Sequence, residues 1–137
     1  MRQIKIFDTT LRDGSQGAGI SFSVEDKLKI ASALDDFGMS FVEGGWPGSN
    51  PKDEEFFRLA KGKFKKAKLV AFGSTRKKHS DIKKDENIKK IVESGAKVVC
   101  IFGKSWDLHV KCAIKTSLKE NLKMISDTVS KIIFKFS

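Results

Sequence analysis

The sequence predicts an α/β fold of parallel βα repeats, and three observations carry that expectation. Four short apolar runs, each followed by a polar, glycine-containing loop and a helical pattern, recur along the 137 residues. The runs begin near positions 4, 40, 68 and 97, so successive units are about 36, 28 and 29 residues long, the size of a βα repeat. Two of them, Leu69 to Phe72 and Val98 to Ile101, are apolar throughout, as strands are when both faces of a parallel sheet are covered. Four such units make about half of a (β/α)8, or TIM, barrel.

The first strand is expected over Ile4 to Asp8, followed by a long loop through Gly14, Gly17 and Gly19. Ser23 and Asp26 form a capping-box pair at the start of the first helix. Val24, Leu28, Ala31, Leu34 and Phe37 give that helix one apolar face, and Gly38 ends it. The second strand is Ser40 to Gly45. Asn50 and Pro51 then announce a helix whose first turn carries Asp53, Glu54 and Glu55, with Phe56, Leu59 and Ala60 inward. The third unit pairs a strand at Lys68 to Phe72 with a helix from Asp85 to Ser94, ended by Gly95; Ile88, Ile91 and Val92 face inward. The fourth pairs Lys97 to Phe102 with a helix from Ser117, whose stripe is Leu118, Leu122, Ile125, Val129 and Ile132.

Composition narrows the class. Apolar residues are 39% and charged residues 32%, so a buried core is expected and disorder is not. No apolar run approaches the ~20 residues of a membrane span, and Met1-Arg2-Gln3-Ile4 shows no signal peptide. Both point to a cytoplasmic protein with no membrane partner. Cys100 reads as a core thiol, and Cys112 carries no signal. The formal charge of +10 raises nucleic-acid binding as a possibility, but the lysines are spread over every helix and only Arg2, Arg12, Arg58 and Arg76 are arginines. Solvated helix ends account for the lysines, and no nucleic-acid partner is expected.

In a parallel βα array the chemistry lies at the C-terminal ends of the strands. Reading only those ends collects Asp8 to Gln16, Glu43 to Asn50, Gly73 to Arg76 and Gly103 to Val110. Within them Arg12 and Asp13 stand side by side. The carboxylate can ligate a hard cation such as Mg²⁺ or Mn²⁺, and the guanidinium can grip a carboxylate or enolate through paired hydrogen bonds. A plain surface ion pair is the other reading. Glu43 sits inside an otherwise apolar strand, where a carboxylate must be paired or face a wet cavity. His79 lies in a lysine-rich stretch and is expected to be exposed; His109 follows the fourth strand, near the mouth.

Asp8-Thr9-Thr10-Leu11-Arg12-Asp13-Gly14-Ser15-Gln16 resembles the signature of the metal-dependent pyruvate-carboxylate family. That family includes isopropylmalate, homocitrate and citramalate synthases and hydroxymethylglutaryl-CoA lyases. Glu43-Gly44-Gly45-Trp46-Pro47-Gly48-Ser49-Asn50, Ala71-Phe72-Gly73-Ser74-Thr75-Arg76 and Ile101-Phe102-Gly103-Lys104-Ser105-Trp106 are similar to its citramalate synthase branch. The resemblance implies a (β/α)8 barrel and a metal-assisted Claisen condensation of acetyl-CoA with pyruvate, on the route to isoleucine and leucine. It implies Asp13 as a ligand of the divalent metal, Arg12 and Glu43 as catalytic residues, with a structural salt bridge from Glu43 to Arg12 as the alternative, and Arg12, Gln16 and Thr75 as substrate contacts. The family's other metal ligands, a histidine pair and an asparagine, have no counterpart here, and the tail from Lys131 does not resemble the family. The expectation is therefore a truncated chain, residues 1–137 forming the N-terminal four βα units of the catalytic domain. Its open barrel edge is expected to drive aggregation, homodimerisation or another association.

Overall fold

A computed structural model describes residues 4–136. Four parallel strands, β1 (Phe7–Asp8), β2 (Phe41–Gly45), β3 (Lys68–Ser74) and β4 (Val98–Phe102), form one sheet in the order β1-β2-β3-β4. Each is followed by a helix: α1 (Val24–Phe37), α2 (Pro51–Ala60), α3 (Glu86–Glu93) and α4 (Leu118–Phe136). Sequential parallel order puts every strand's C-terminal end on one edge. That is the arrangement of half a (β/α)8 barrel.

Local chemistry explains the element ends. Ser23 accepts from the Asp26 amide, and the Asp26 side chain accepts from the Ser23 amide, completing the capping box of α1. Gly38 closes α1 in the left-handed region at φ 96°, where a side chain would be strained. The Asn50 side chain accepts from the Lys52 amide at the start of α2, and Asp85 accepts from Ile88 at the start of α3. The core lies between the helices and the sheet: Leu11, Ala31, Val42, Phe56, Phe57, Ala71, Ile88 and Ile91 are buried.

Several expectations need correction. The first strand is two residues rather than five. Ile4 is 84% exposed, and the link extends backwards through Ile6, whose carbonyl accepts from the Phe41 amide and whose amide donates to Ser40 Oγ. β4 is not covered on both faces: its residues are half-buried, and Phe102 is exposed, because among the described residues no strand pairs with its outer edge. Phe37 lies in solvent rather than on the buried face of α1. The α4 stripe is only partly placed as expected: Ile125 and Ile132 are half-buried. Leu118, Leu122 and Val129 are exposed, whereas Asn121, Met124 and Thr128 face the protein. Arg76 explains this orientation. It is buried after β3 and pairs with Glu120 (2.8 Å) and Asp127 (2.8 Å) of α4, while its amide donates to Thr128 Oγ1. Burial lowers the affinity of the Arg76 guanidinium for its proton, but the two carboxylates outweigh it and hold the group more firmly charged than usual.

Candidate active site

The loop after β1 is a tight turn. The Thr9 carbonyl accepts from the amides of Arg12, Asp13 and Gly14, and Leu11 is fully buried beneath it. Asp8 holds the turn's entry by accepting from the Thr10 amide and hydroxyl, both at 3.0 Å. This projects Arg12 over the C-terminal ends of the strands. Its Nε donates to Glu43 Oε2 at 2.7 Å, and its Nη1 donates to Asp13 Oδ1 at 2.9 Å. The guanidinium lies 4.3 Å from the centre of the Phe72 ring. A guanidinium has five N–H donors. Two of them are engaged by Glu43 and Asp13, and Arg12 lines a cleft of about 690 Å³.

Glu43 is 1% exposed, so the sequence reading of a charge inside an apolar strand is matched by a partnered carboxylate. The sheet register places Glu43 opposite Val70 and Phe72 opposite Cys100, all on the face towards Arg12. Cys100 is accordingly half-buried rather than a core thiol. Burial raises its pKa, and the negative charge and hydrogen bond of Glu43 push the same way against an opposing effect of Arg12.

Gln16 lines the cleft with Arg12, as do Trp46, Phe72 and Phe102. Thr75 does not. It is buried, its amide donates to the Phe102 carbonyl, and it lines a neighbouring cavity of about 480 Å³ with Lys104, Ile114 and Met124. His79 and His109 are exposed, and neither lines the Arg12 cleft. His109 instead packs against Trp106 at 4.7 Å.

The Asp13 side chain is 62% exposed and offers one hard oxygen not engaged by Arg12. That suits a single coordination position of Mg²⁺ or Mn²⁺. No group of three or more His, Cys, Asp or Glu able to hold a metal occurs among the described residues.

The pattern of the sequence did not point to Lys27 and Asp53, which form a buried ion pair along the same cleft. The signal was present: Lys27 lies three residues after Val24 and four before Ala31, and Asp53 three before Phe56, both in the apolar register. Asp53 also accepts from the Trp46 amide at 2.8 Å. Gly45, at φ 137°, is required beside it, because a Cβ there would lie 2.4 Å from the Asp53 carboxyl.

A family profile described as HMGL-like matches residues 3–133. The chain is 56% identical over 128 residues to an (R)-citramalate synthase of Aquifex aeolicus, and 52% identical over 130 residues to one of Sulfolobus acidocaldarius. Those matches cover 93% and 94% of this chain but 24% and 25% of the relatives, so the chain spans about a quarter of their length. A 2-isopropylmalate synthase of Sediminispirochaeta smaragdinae is 34% identical over 129 residues, with 94% and 25% covered. Among solved structures, hydroxymethylglutaryl-CoA lyase from Pseudomonas aeruginosa superposes with a TM-score of 0.71 at 18% identity, over 98% of this chain and 43% of that one. The HMG-CoA lyase of Bacillus subtilis gives 0.68 at 21% identity, over 94% and 42%. At such identities these two matches speak for the fold, and the family follows from the profile: the chain belongs to the HMGL-like family.

Proposed function

We propose that this chain forms the N-terminal four βα units of a citramalate synthase-like acyltransferase, contributing one wall of its active site. The reaction joins acetyl-CoA to pyruvate with water, giving citramalate and free CoA. The observation that carries the reading is Arg12, held on edge by Glu43 and on face by Phe72, in the lining of an open cleft. A planar cation so fixed suits the carboxylate of a 2-oxo acid and the alkoxide that forms when the acetyl carbanion adds to the keto carbon. Glu43 aims Arg12, Gln16 lines the wall, Asp13 supplies one oxygen to a divalent cation, and Thr75 supports the rim from the adjoining cavity. A bound divalent ion would polarise the keto oxygen. The identities of 56% and 52% to citramalate synthases, against 34% to an isopropylmalate synthase, favour pyruvate over a branched 2-oxo acid.

The reading places the protein in the cytoplasm, in branched-chain amino-acid synthesis. No helix among the described residues is long and apolar enough to cross a membrane. Association through the open sheet edges, with a second copy or a complementary βα segment, belongs to the same reading. A structural role alone is the second reading, favoured by Arg12 already pairing with both Asp13 and Glu43.

The test measures thiol release from acetyl-CoA with pyruvate, 2-oxoisovalerate or 2-oxoglutarate, in Mg²⁺ or Mn²⁺. The chain is assayed alone and mixed with the remaining segment of the Aquifex aeolicus relative. Turnover of pyruvate on mixing, lost in Arg12→Gln, is the expected result. A preference for 2-oxoisovalerate would move the assignment to isopropylmalate synthesis, and Arg12-independent turnover would overturn it.

A further inference from the structure

We propose that Trp46 is a positioning residue for Arg12: it holds Phe72 beneath the guanidinium and so fixes the plane of that group. An ion pair alone does not fix that plane. Glu43 engages Nε and Asp13 engages Nη1, but the Asp13 side chain is 62% exposed, so these bonds still let the guanidinium tilt about the buried Glu43. The ring 4.3 Å away supplies the second constraint, and Phe72 in turn meets Trp46 edge-on, with centroids 5.6 Å apart at 82°.

Trp46 is itself anchored at two points by two different helices. Its backbone amide donates to Asp53 of α2 at 2.8 Å, and its indole Nε1 donates to Asn87 of α3 at 2.5 Å. Asn87 is fixed by donating from Nδ2 to the Ser74 carbonyl at the end of β3, at 3.1 Å. Gly48 packs against the Asn87 backbone so closely that an added Cβ would lie 3.0 Å from its Cα. The indole therefore cannot swing without breaking a half-buried bond, and the restraint passes through two rings to the cation. The consequence for substrate orientation rests on the reading of the cleft as a 2-oxo acid site; the restraint on Arg12 does not.

The experiment reads Arg12 directly. The chain has four arginines, so the Nε–Hε region of a ¹⁵N-correlated proton spectrum holds four signals to assign. Trp46→Leu is expected to move the Arg12 signal and hasten its exchange with water, while Arg76, in its own buried pair, stays in place. Trp46→Phe, which keeps a ring, is expected to restore part of the shift. Asn87→Ala frees the indole without removing it, and is expected to move Arg12 in the same direction; it decides the matter if Trp46→Leu fails to fold. An Arg12 signal unchanged in Asn87→Ala, or in a folded Trp46→Leu, overturns the proposal. A parallel titration with pyruvate separates the two readings. Binding weakened about tenfold in Trp46→Leu, the effect of one lost stacking or hydrogen-bond contact, is expected. A wild-type chain that ignores pyruvate defeats the functional reading and leaves the Arg12 signals to judge the positioning.

Discussion

Arg12 and Glu43 hold one another, but from unequal positions. The Glu43 side chain is 1% exposed and that of Arg12 24%, with Asp13 as a second partner for the cation. Removing Arg12 strands a carboxylate where water does not reach; removing Glu43 leaves a cation that can still hydrate and pair. Arg12→Leu is thus expected to destabilise by about 3–5 kcal/mol, as for a buried charge left alone, and Glu43→Leu by less than half of that. Urea denaturation of the two variants checks the ordering, and equal losses would mean that burial does not control the pair. Each residue was legible in the sequence because it broke a local pattern, whereas their pairing came from the family resemblance. Arg12 and Asp13 sit where a strand becomes a loop, and Glu43 interrupts an apolar run. Phe72, which carries the guanidinium's face, broke none, since an aromatic residue in a strand reads as core. Cys100 was misread for the same reason: the periodicity of β4 shows two faces but not that one of them looks onto Glu43.

At the level of elements, polar side chains settle what apolar periodicity leaves open. Asp35, near the end of α1, accepts from the amides of Lys65 (2.9 Å), Lys66 (2.8 Å) and Ala67 (2.6 Å), and so ties the entry of β3 to α1. Burial raises the pKa of Asp35, but the three amides outweigh it and leave the carboxyl below its ordinary value of 3.8. A folded pKa below the unfolded one gives stability that is fully present above the unfolded value and is lost as pH falls through the folded value. Asp35→Asn is expected to be less stable than the wild type by about 1–3 kcal/mol at neutral pH. The gap should begin to close only below about pH 3.8. Denaturation curves from neutral to strongly acid pH measure it, and a gap that stays constant would remove the charge from the account. The caps of α1 and α2 were readable because Ser23, Gly38, Asn50 and Pro51 act within a few residues. The orientation of α4 was not. Its pattern offers two plausible faces, and the choice is made by Arg76, more than forty residues earlier in the chain, reaching Glu120 and Asp127.

For the whole molecule, the strand order leaves β1 and β4 at the two ends of the described sheet, each with an unpaired edge. Apolar side chains collect beside both. Ile4, Ile6 and Phe7 are exposed near β1, and Phe102, Leu118, Leu122 and Val129 near β4 and α4. Open parallel edges flanked by apolar surface favour pairing with another chain. The net charge of +10 opposes association between copies, but only through water, where salt screens it. Self-association is therefore expected to strengthen with ionic strength, the reverse of an assembly held by ion pairs. Sedimentation velocity at low and high salt, over a wide range of protein concentration, measures this. Leu118→Lys combined with Leu122→Lys is expected to suppress the association at a small cost in melting temperature, because Leu122 is 66% and Leu118 46% exposed. A wild-type chain that stays monomeric and melts sharply at every concentration and salt would show that the open edges are quiet on their own. A double variant that associates as before would move the contact away from α4 and towards the backbone edge of β1 or β4.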